Sequence, residues 1–258
     1  MIIAETIAVA FSMFSALPVP NIRWNKNNMR YVMCAFPLVG VVIGGASAFW
    51  VMLCQGLALP VLLRGAGLCL IPVLITGGIH LDGFADTCDA LASNGSQEKR
   101  QEILSDPHLG AFAAIKLCCY FVASWALWSS LPRFDTKTLC AVSVGFCLSR
   151  TLSGFAVASF PMAKDTGLVH AFAEASDKKA VKLCLALLTI FLSLGLLFCG
   201  WGGAAMAATA AGTFIYFRRM TQKQFGGLSG DLSGWFLQSV ELAMLAALSA
   251  VQFLEALI

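Results

Sequence analysis

YVMCAFPLVGVVIGGASAFWVMLC, residues 31–54, runs for 24 residues without a charged side chain. As a helix rising about 1.5 Å per residue it would span about 36 Å, more than the ~30 Å hydrocarbon core of a bilayer. Its Gly and Pro residues are ordinary in membrane-spanning helices. Six comparable stretches follow, at residues 62–79, 109–128, 139–160, 183–200, 203–217 and 236–257, the 203–217 stretch being the shortest. The expected fold is all-α: a polytopic membrane helix bundle of about seven transmembrane helices, forming one integral-membrane domain over residues 1–258. The leading MIIAETIAVAFSMFSALPVP, residues 1–20, is apolar but short, lacks a basic start and carries Glu5. It reads as an interfacial or re-entrant helix ending before Pro18 and Pro20, not as a cleaved signal peptide.

Composition supports the bilayer as solvent. The chain is 59% hydrophobic and 12% charged, with a mean hydropathy of +0.80. Soluble domains are nearer half apolar and a quarter charged, and a single soluble core of this size could not hide the difference. A net charge of +3 without a basic stripe argues against nucleic acid as a partner. Nine of the ten cysteines lie in or beside apolar runs, and no C-x-x-C pair occurs, so they read as small hydrophobes.

Threading the seven spans sorts the basic residues. Arg23, Lys26, Arg30, Lys99, Arg100, Lys164, Lys178, Lys179, Lys182, Arg218, Arg219 and Lys223 flank one side; Arg64, Arg133 and Lys137 flank the other; Lys116 and Arg150 fall within spans. The positive-inside rule puts the twelve-residue side in the cytoplasm, which implies a multi-pass protein of the inner membrane. Most acidic residues, Asp82, Asp86, Asp89, Asp106, Asp165 and Asp231 among them, fall on that same side.

Chemistry concentrates in GGIHLDGFADTCDALAS, residues 77–93. Asp82, Asp86 and Asp89 stand at i, i+4 and i+7, one face of a helix. Three like charges on one stripe repel unless a cation lies among them, and hard carboxylate oxygens match Mg²⁺. Cys88, a soft donor, reads as packing. A second element, FGGLSGDLSGWFLQSVELA at 225–243, repeats the order of two Gly, three residues, then Asp, here Asp231. Gly226 and Gly227 would let the backbone approach a phosphate. Asp231, Gln238 and Glu241 form another stripe, read either as a functional set or as a polar seam between helices. Arg100, Arg150 and Lys164 are the candidate phosphate clamps, with a buried ion pair the alternative for Arg150. Asp106 and His108, in SDPHLGAF, are either substrate contacts or solvated loop residues.

These elements resemble the cobalamin synthase family, the adenosylcobinamide-GDP ribazoletransferases. The similarity is carried by LPVP at 17–20, FPLVGVVIG at 36–44, GGIHLDGFADTCDAL at 77–91, EILSDPHLGAF at 102–112, Ser149–Arg150, Gly167–Leu168 and GGLSGD at 226–231. The sequence departs from the family's common pattern at Ala90, often Gly, and at Ser229, usually Thr. The resemblance implies a Mg²⁺-dependent transferase acting late in cobalamin biosynthesis. The 3′-hydroxyl of α-ribazole, or of its 5′-phosphate, would attack the cobinamide-linked phosphorus of adenosylcobinamide-GDP and release GMP. On that reading Asp82, Asp86, Asp89 and Asp231 hold Mg²⁺. One of these Asp, or His80, takes the hydroxyl proton, and Arg100, Asp106, Arg150, Lys164, Gly226 and Gly227 contact substrate. A homo-oligomer is compatible with it. The rival expectations are another Mg²⁺-dependent membrane phosphoalcohol or prenyl transferase, and a transporter with acidic coupling sites.

Overall fold

The computed structural model describes residues 2–20, 22–163 and 168–257. Helices account for the architecture: α1 (Ile2–Phe14), α2 (Lys26–Met29), α3 (Val32–Ala35), α4 (Pro37–Gly56), α5 (Val61–Thr76), α6 (Ile79–Ala92), α7 (Gln97–Ile103), α8 (Ala111–Ser130), α9 (Thr136–Ser159), α10 (Leu168–Ala175), α11 (Lys178–Phe198), α12 (Trp201–Phe225) and α13 (Gly230–Leu257). Among the described residues the sole β pairing is one bridge, Met162 to Leu228.

Seven helices, α4, α5, α8, α9, α11, α12 and α13, run between two ends of the bundle. At one end Arg30 pairs with Asp177 at 2.5 Å, and the side chains of Gln97 and Gln101 donate to the carbonyls of Lys223 and Phe225 at 2.9 and 2.8 Å. At the other, Gln55 donates to the Phe134 carbonyl at 3.4 Å, Arg64 covers the Phe134 ring, and Arg133 pairs with Glu255. The described members of the twelve-residue basic set thus belong to the flanks of the first end.

The outer helices show what surrounds the bundle. In α11 the most apolar window has a hydropathy of 2.4 yet is only 17% buried, and Phe191 and Phe198 are 71% and 86% exposed. A soluble helix turns such a face inward; this one offers it to hydrocarbon. The chain is a multi-pass membrane protein. Five helices are individually long and apolar enough to cross, with α3 and α4 counted together, or six if α5 and α6 form one broken span. The expected seven is therefore not reached by length and apolar content alone. The reasons are local. α5 has 16 residues, about 24 Å. α12 has 25, but small residues, Thr and its basic last turn dilute its hydropathy.

The break after α5 orients everything downstream. Gly77 and Gly78 adopt φ of 66° and 81°, the left-handed region that side chains with a Cβ disfavour, and α6 leaves at 98° to α5. Ala16, beyond α1, donates its amide to the Ile75 carbonyl at 2.8 Å, tying the N-terminal segment to this break. At the bundle centre α9 is the most buried span, with 72% of its apolar window enclosed.

Candidate active site

α6 and α13 meet closely enough to bring two distant aspartates together. A methyl group on Gly83 would lie 2.7 Å from the Asp231 Cα, and one on Gly234 would lie 2.8 Å from the His80 carbonyl oxygen. Only hydrogens at both positions permit this crossing. Small residues at contacts are how membrane helices approach in the absence of a hydrophobic drive between them.

The crossing concentrates negative charge. Asp82, Asp231 and Asp89 all act electrostatically on Asp86, and among the described residues no Lys or Arg forms an ion pair with Asp82, Asp86 or Asp89. Asp82 is exposed, while Asp86, Asp89 and Asp231 are partly buried. Among the described residues, no three His, Cys, Asp or Glu side chains are close enough to hold one ion. Helix geometry explains this: Asp82 and Asp89 are separated by seven residues, about 10 Å of rise, so one stripe cannot be one coordination sphere. Asp89 is also engaged elsewhere. Its Oδ1 accepts from the Ala113 amide at 3.4 Å, placing the carboxylate at the N-terminus of α8.

Next to the aspartates lies a cavity of about 430 Å³. Asp82, Asp231, Ser229, Gln101 and His170 contribute to its polar lining, and Phe14, Phe36, Phe172 and Leu237 to its apolar side. His80 lines it too, 6% exposed, with an Nε2 that has no hydrogen-bond partner among the described residues. Phe14, Phe36 and Phe172 lie outside the acidic stretch, the first two in segments read by sequence as interfacial helix and span, the third in the connection between two expected spans. Their part in the cavity depends on the packing of α1 and α10, which has no short-range signature.

The candidate cations divide. Arg150 is fully buried and donates from one Nη to Glu241 at 2.5 Å, to the Ser149 hydroxyl at 3.0 Å and to the Phe146 carbonyl at 2.9 Å. Ser149 donates to the same Glu241 oxygen at 2.7 Å. Of the two readings of Arg150 the geometry is that of the buried ion pair, and Glu241 belongs to that seam. Arg100 donates to the Ser93 carbonyl at 3.4 Å, and its buried Nε has no partner among the described residues. Lys164 lies outside the described residues.

Gly226 and Gly227 close the end of α12. Gly226 has φ 74°, both amides turn toward the Thr221 carbonyl, and a methyl on Gly227 would lie 2.5 Å from the Ala163 amide nitrogen. Their contribution is a tight turn against residues 161–163, with no amide spare to cradle a phosphate. Asp106 is exposed in the α7–α8 loop, its carboxyl held below the usual range by the His108 amide and ring.

The aspartates lie beside a mixed polar and aromatic cavity at the basic end of a membrane bundle. Comparison with known proteins identifies the family. The profile of a family described as cobalamin-5-phosphate synthase matches residues 6–249. An adenosylcobinamide-GDP ribazoletransferase of Lachnoclostridium phytofermentans is 40% identical over 92% of this chain and 90% of its own length. Relatives of the same name from Geobacillus kaustophilus and Clostridium perfringens strain SM101 are 32% and 28% identical, covering 92% and 96% of this chain and 92% and 98% of their own. No solved structure matches. The chain belongs to the cobalamin-5-phosphate synthase family.

Proposed function

We propose that the chain transfers the adenosylcobinamide-phosphate group of adenosylcobinamide-GDP to the 3′-hydroxyl of α-ribazole, or of α-ribazole 5′-phosphate. In the step a bond forms between the ribose 3′-oxygen and the cobinamide-linked phosphorus. The phosphoanhydride bond breaks, GMP departs, and the hydroxyl proton passes to a carboxylate. The observation that carries this reading is a family match over nearly the whole chain, with its Asp-rich element beside a cavity of about 430 Å³.

The donor set fits Mg²⁺, which takes one or two carboxylates and leaves its other positions to phosphate oxygens and water. Adjacent members of the stripe, Asp82 with Asp86 and Asp86 with Asp89, are the pairs able to hold it, with Asp231 facing them across the helix crossing. When bound, the ion would offset charge on the phosphates and on departing GMP. The protein's own groups do the rest. Asp82 and Asp231 line the cavity and can accept the hydroxyl proton. Arg100, within α7 and with a buried Nε that has no partner among the described residues, is the proposed phosphate contact. Gathering the basic flanks at this end supports an inner-membrane protein with its site toward the cytoplasm.

The test is direct. Purified chain in proteoliposomes, given adenosylcobinamide-GDP, α-ribazole and Mg²⁺, should release GMP and form adenosylcobalamin, and chelation should stop it. Asp82→Ala and Asp231→Ala should abolish release while the protein stays folded. Full turnover in either variant would remove that residue from the reaction.

A further inference from the structure

The cavity beside the aspartates has two unlike sides, and the two substrates of the proposed reaction are unlike in size. Its volume of about 430 Å³ lies low in the ~300–1,000 Å³ range of pockets that enclose drug-sized ligands. A single nucleoside is of that size. A corrin ring with its amide side chains, an upper nucleoside and GDP is far larger and cannot be enclosed there.

The lining narrows the choice further. Phe14, Phe36, Phe172 and His80 form one aromatic cluster: Phe14 to Phe36 is 4.2 Å between ring centroids, Phe14 to Phe172 6.2 Å and Phe36 to His80 5.8 Å. All four line the cavity that Asp82 and Asp231 also line. The His80 Nε2 is buried there without a partner among the described residues. A lipid tail would satisfy the phenyl rings and leave that nitrogen unmatched. A flat apolar heterocycle with a ring nitrogen satisfies both, because aromatic faces accept stacking and edge contacts while a buried polar atom needs a hydrogen bond.

We infer that this cavity is the acceptor pocket: the heterocyclic base of α-ribazole lies against Phe14, Phe36 and Phe172 with its ring nitrogen at His80, and its ribose extends toward Asp82 and Asp231. The large donor stays at the mouth and presents only its diphosphate to the aspartates. The assignment rests on the proposed reaction for the identity of the nucleoside. His80 then sets specificity for the base, and the proton of the attacking hydroxyl goes to an aspartate.

The full chain in nanodiscs tests this by two readouts: direct binding of α-ribazole, and the KM of each substrate. Phe36→Ala and Phe172→Ala should weaken α-ribazole binding and raise its KM by about ten-fold, the scale of a lost base–aromatic contact. The donor KM should stay within about two-fold. Phe36→Leu and Phe172→Leu, which preserve an apolar side chain of similar bulk, provide the same comparison should the Ala variants fail to fold. His80→Phe should erase the wild-type preference for a benzimidazole riboside over the indole riboside that lacks the ring nitrogen. Donor KM rising instead, α-ribazole binding unchanged, or the base preference surviving in His80→Phe would overturn the assignment. Wild-type chain that binds α-ribazole without releasing GMP would sink the proposed reaction and leave the pocket standing.

Discussion

Gly83→Ala adds one methyl group at the contact on which the site depends. That methyl would lie 2.7 Å from the Asp231 Cα and 2.8 Å from its carbonyl oxygen, where 3.4 Å begins ordinary contact. Both obstacles are backbone, so no side chain can swing aside, and α6 and α13 must separate by roughly 0.7 Å or more. Overpacking of this kind costs about 1–3 kcal/mol of stability. A displacement approaching 1 Å between catalytic groups costs on the order of 100-fold in rate. The expected result is a folded membrane protein whose kcat/KM for GMP release falls by about 30- to 100-fold. Gly45→Ala is the control, since nothing lies within 4 Å of a methyl group there; it should be silent. The assay is GMP release in proteoliposomes, with thermal unfolding in detergent run in parallel. A Gly83→Ala protein within about two-fold of wild type would refute the claim that this crossing sets the catalytic geometry.

Three other outcomes follow from the same structure. Glu241→Ala strands the buried Arg150 charge and should cost about 3–5 kcal/mol in unfolding experiments, whereas the Arg150→Met, Glu241→Leu double variant should recover most of it; equal loss in both would refute the ion-pair role. Asp86→Asn removes the carboxylate common to both adjacent pairs and should raise the Mg²⁺ needed for half-maximal GMP release by about ten-fold or more, an outcome negated by an unchanged Mg²⁺ requirement. Asp177 is held below the usual carboxylate range first by its hydrogen bond to Arg30 and then by the Ala180 amide. A depressed folded pKa gives stability that is present above about 3.9 and lost as pH falls through the lower folded value. Arg30→Gln should therefore shrink the acid-side loss of melting temperature seen in wild type, and identical pH profiles would contradict this.

Much of this architecture was legible because hydrophobic runs announce membrane helices without reference to neighbours. Each of the seven expected stretches is largely helical, though 31–54 is divided between α3 and α4 and 62–79 runs past the end of α5 into the Gly77–Gly78 break, and the acidic stripe on residues 82–89 lies on one helix as its spacing requires. The 98° turn after Thr76 was not legible: Gly77–Gly78 marked a flexible point, but the direction of departure depends on what α6 packs against. The stripe places Asp82, Asp86 and Asp89 on one face without fixing how many ions they would share; the rise along the helix limits any one ion to adjacent members. Arg150 was left open between two roles, and only its distance to Glu241, 91 residues away in sequence, chooses. The cavity's aromatic wall was invisible for the same reason: Phe14 and Phe172 become neighbours through tertiary packing alone.

The close approach of Gly83 to Asp231 has a consequence for biogenesis. Until α13 has emerged from the ribosome and inserted, the acidic stripe on α6 has no opposing carboxylate and the cavity lacks one wall. The growing polypeptide therefore carries no completed α6–α13 crossing while α1 to α12 are being laid into the bilayer, and the mutual repulsion of the aspartates is deferred until α13 inserts.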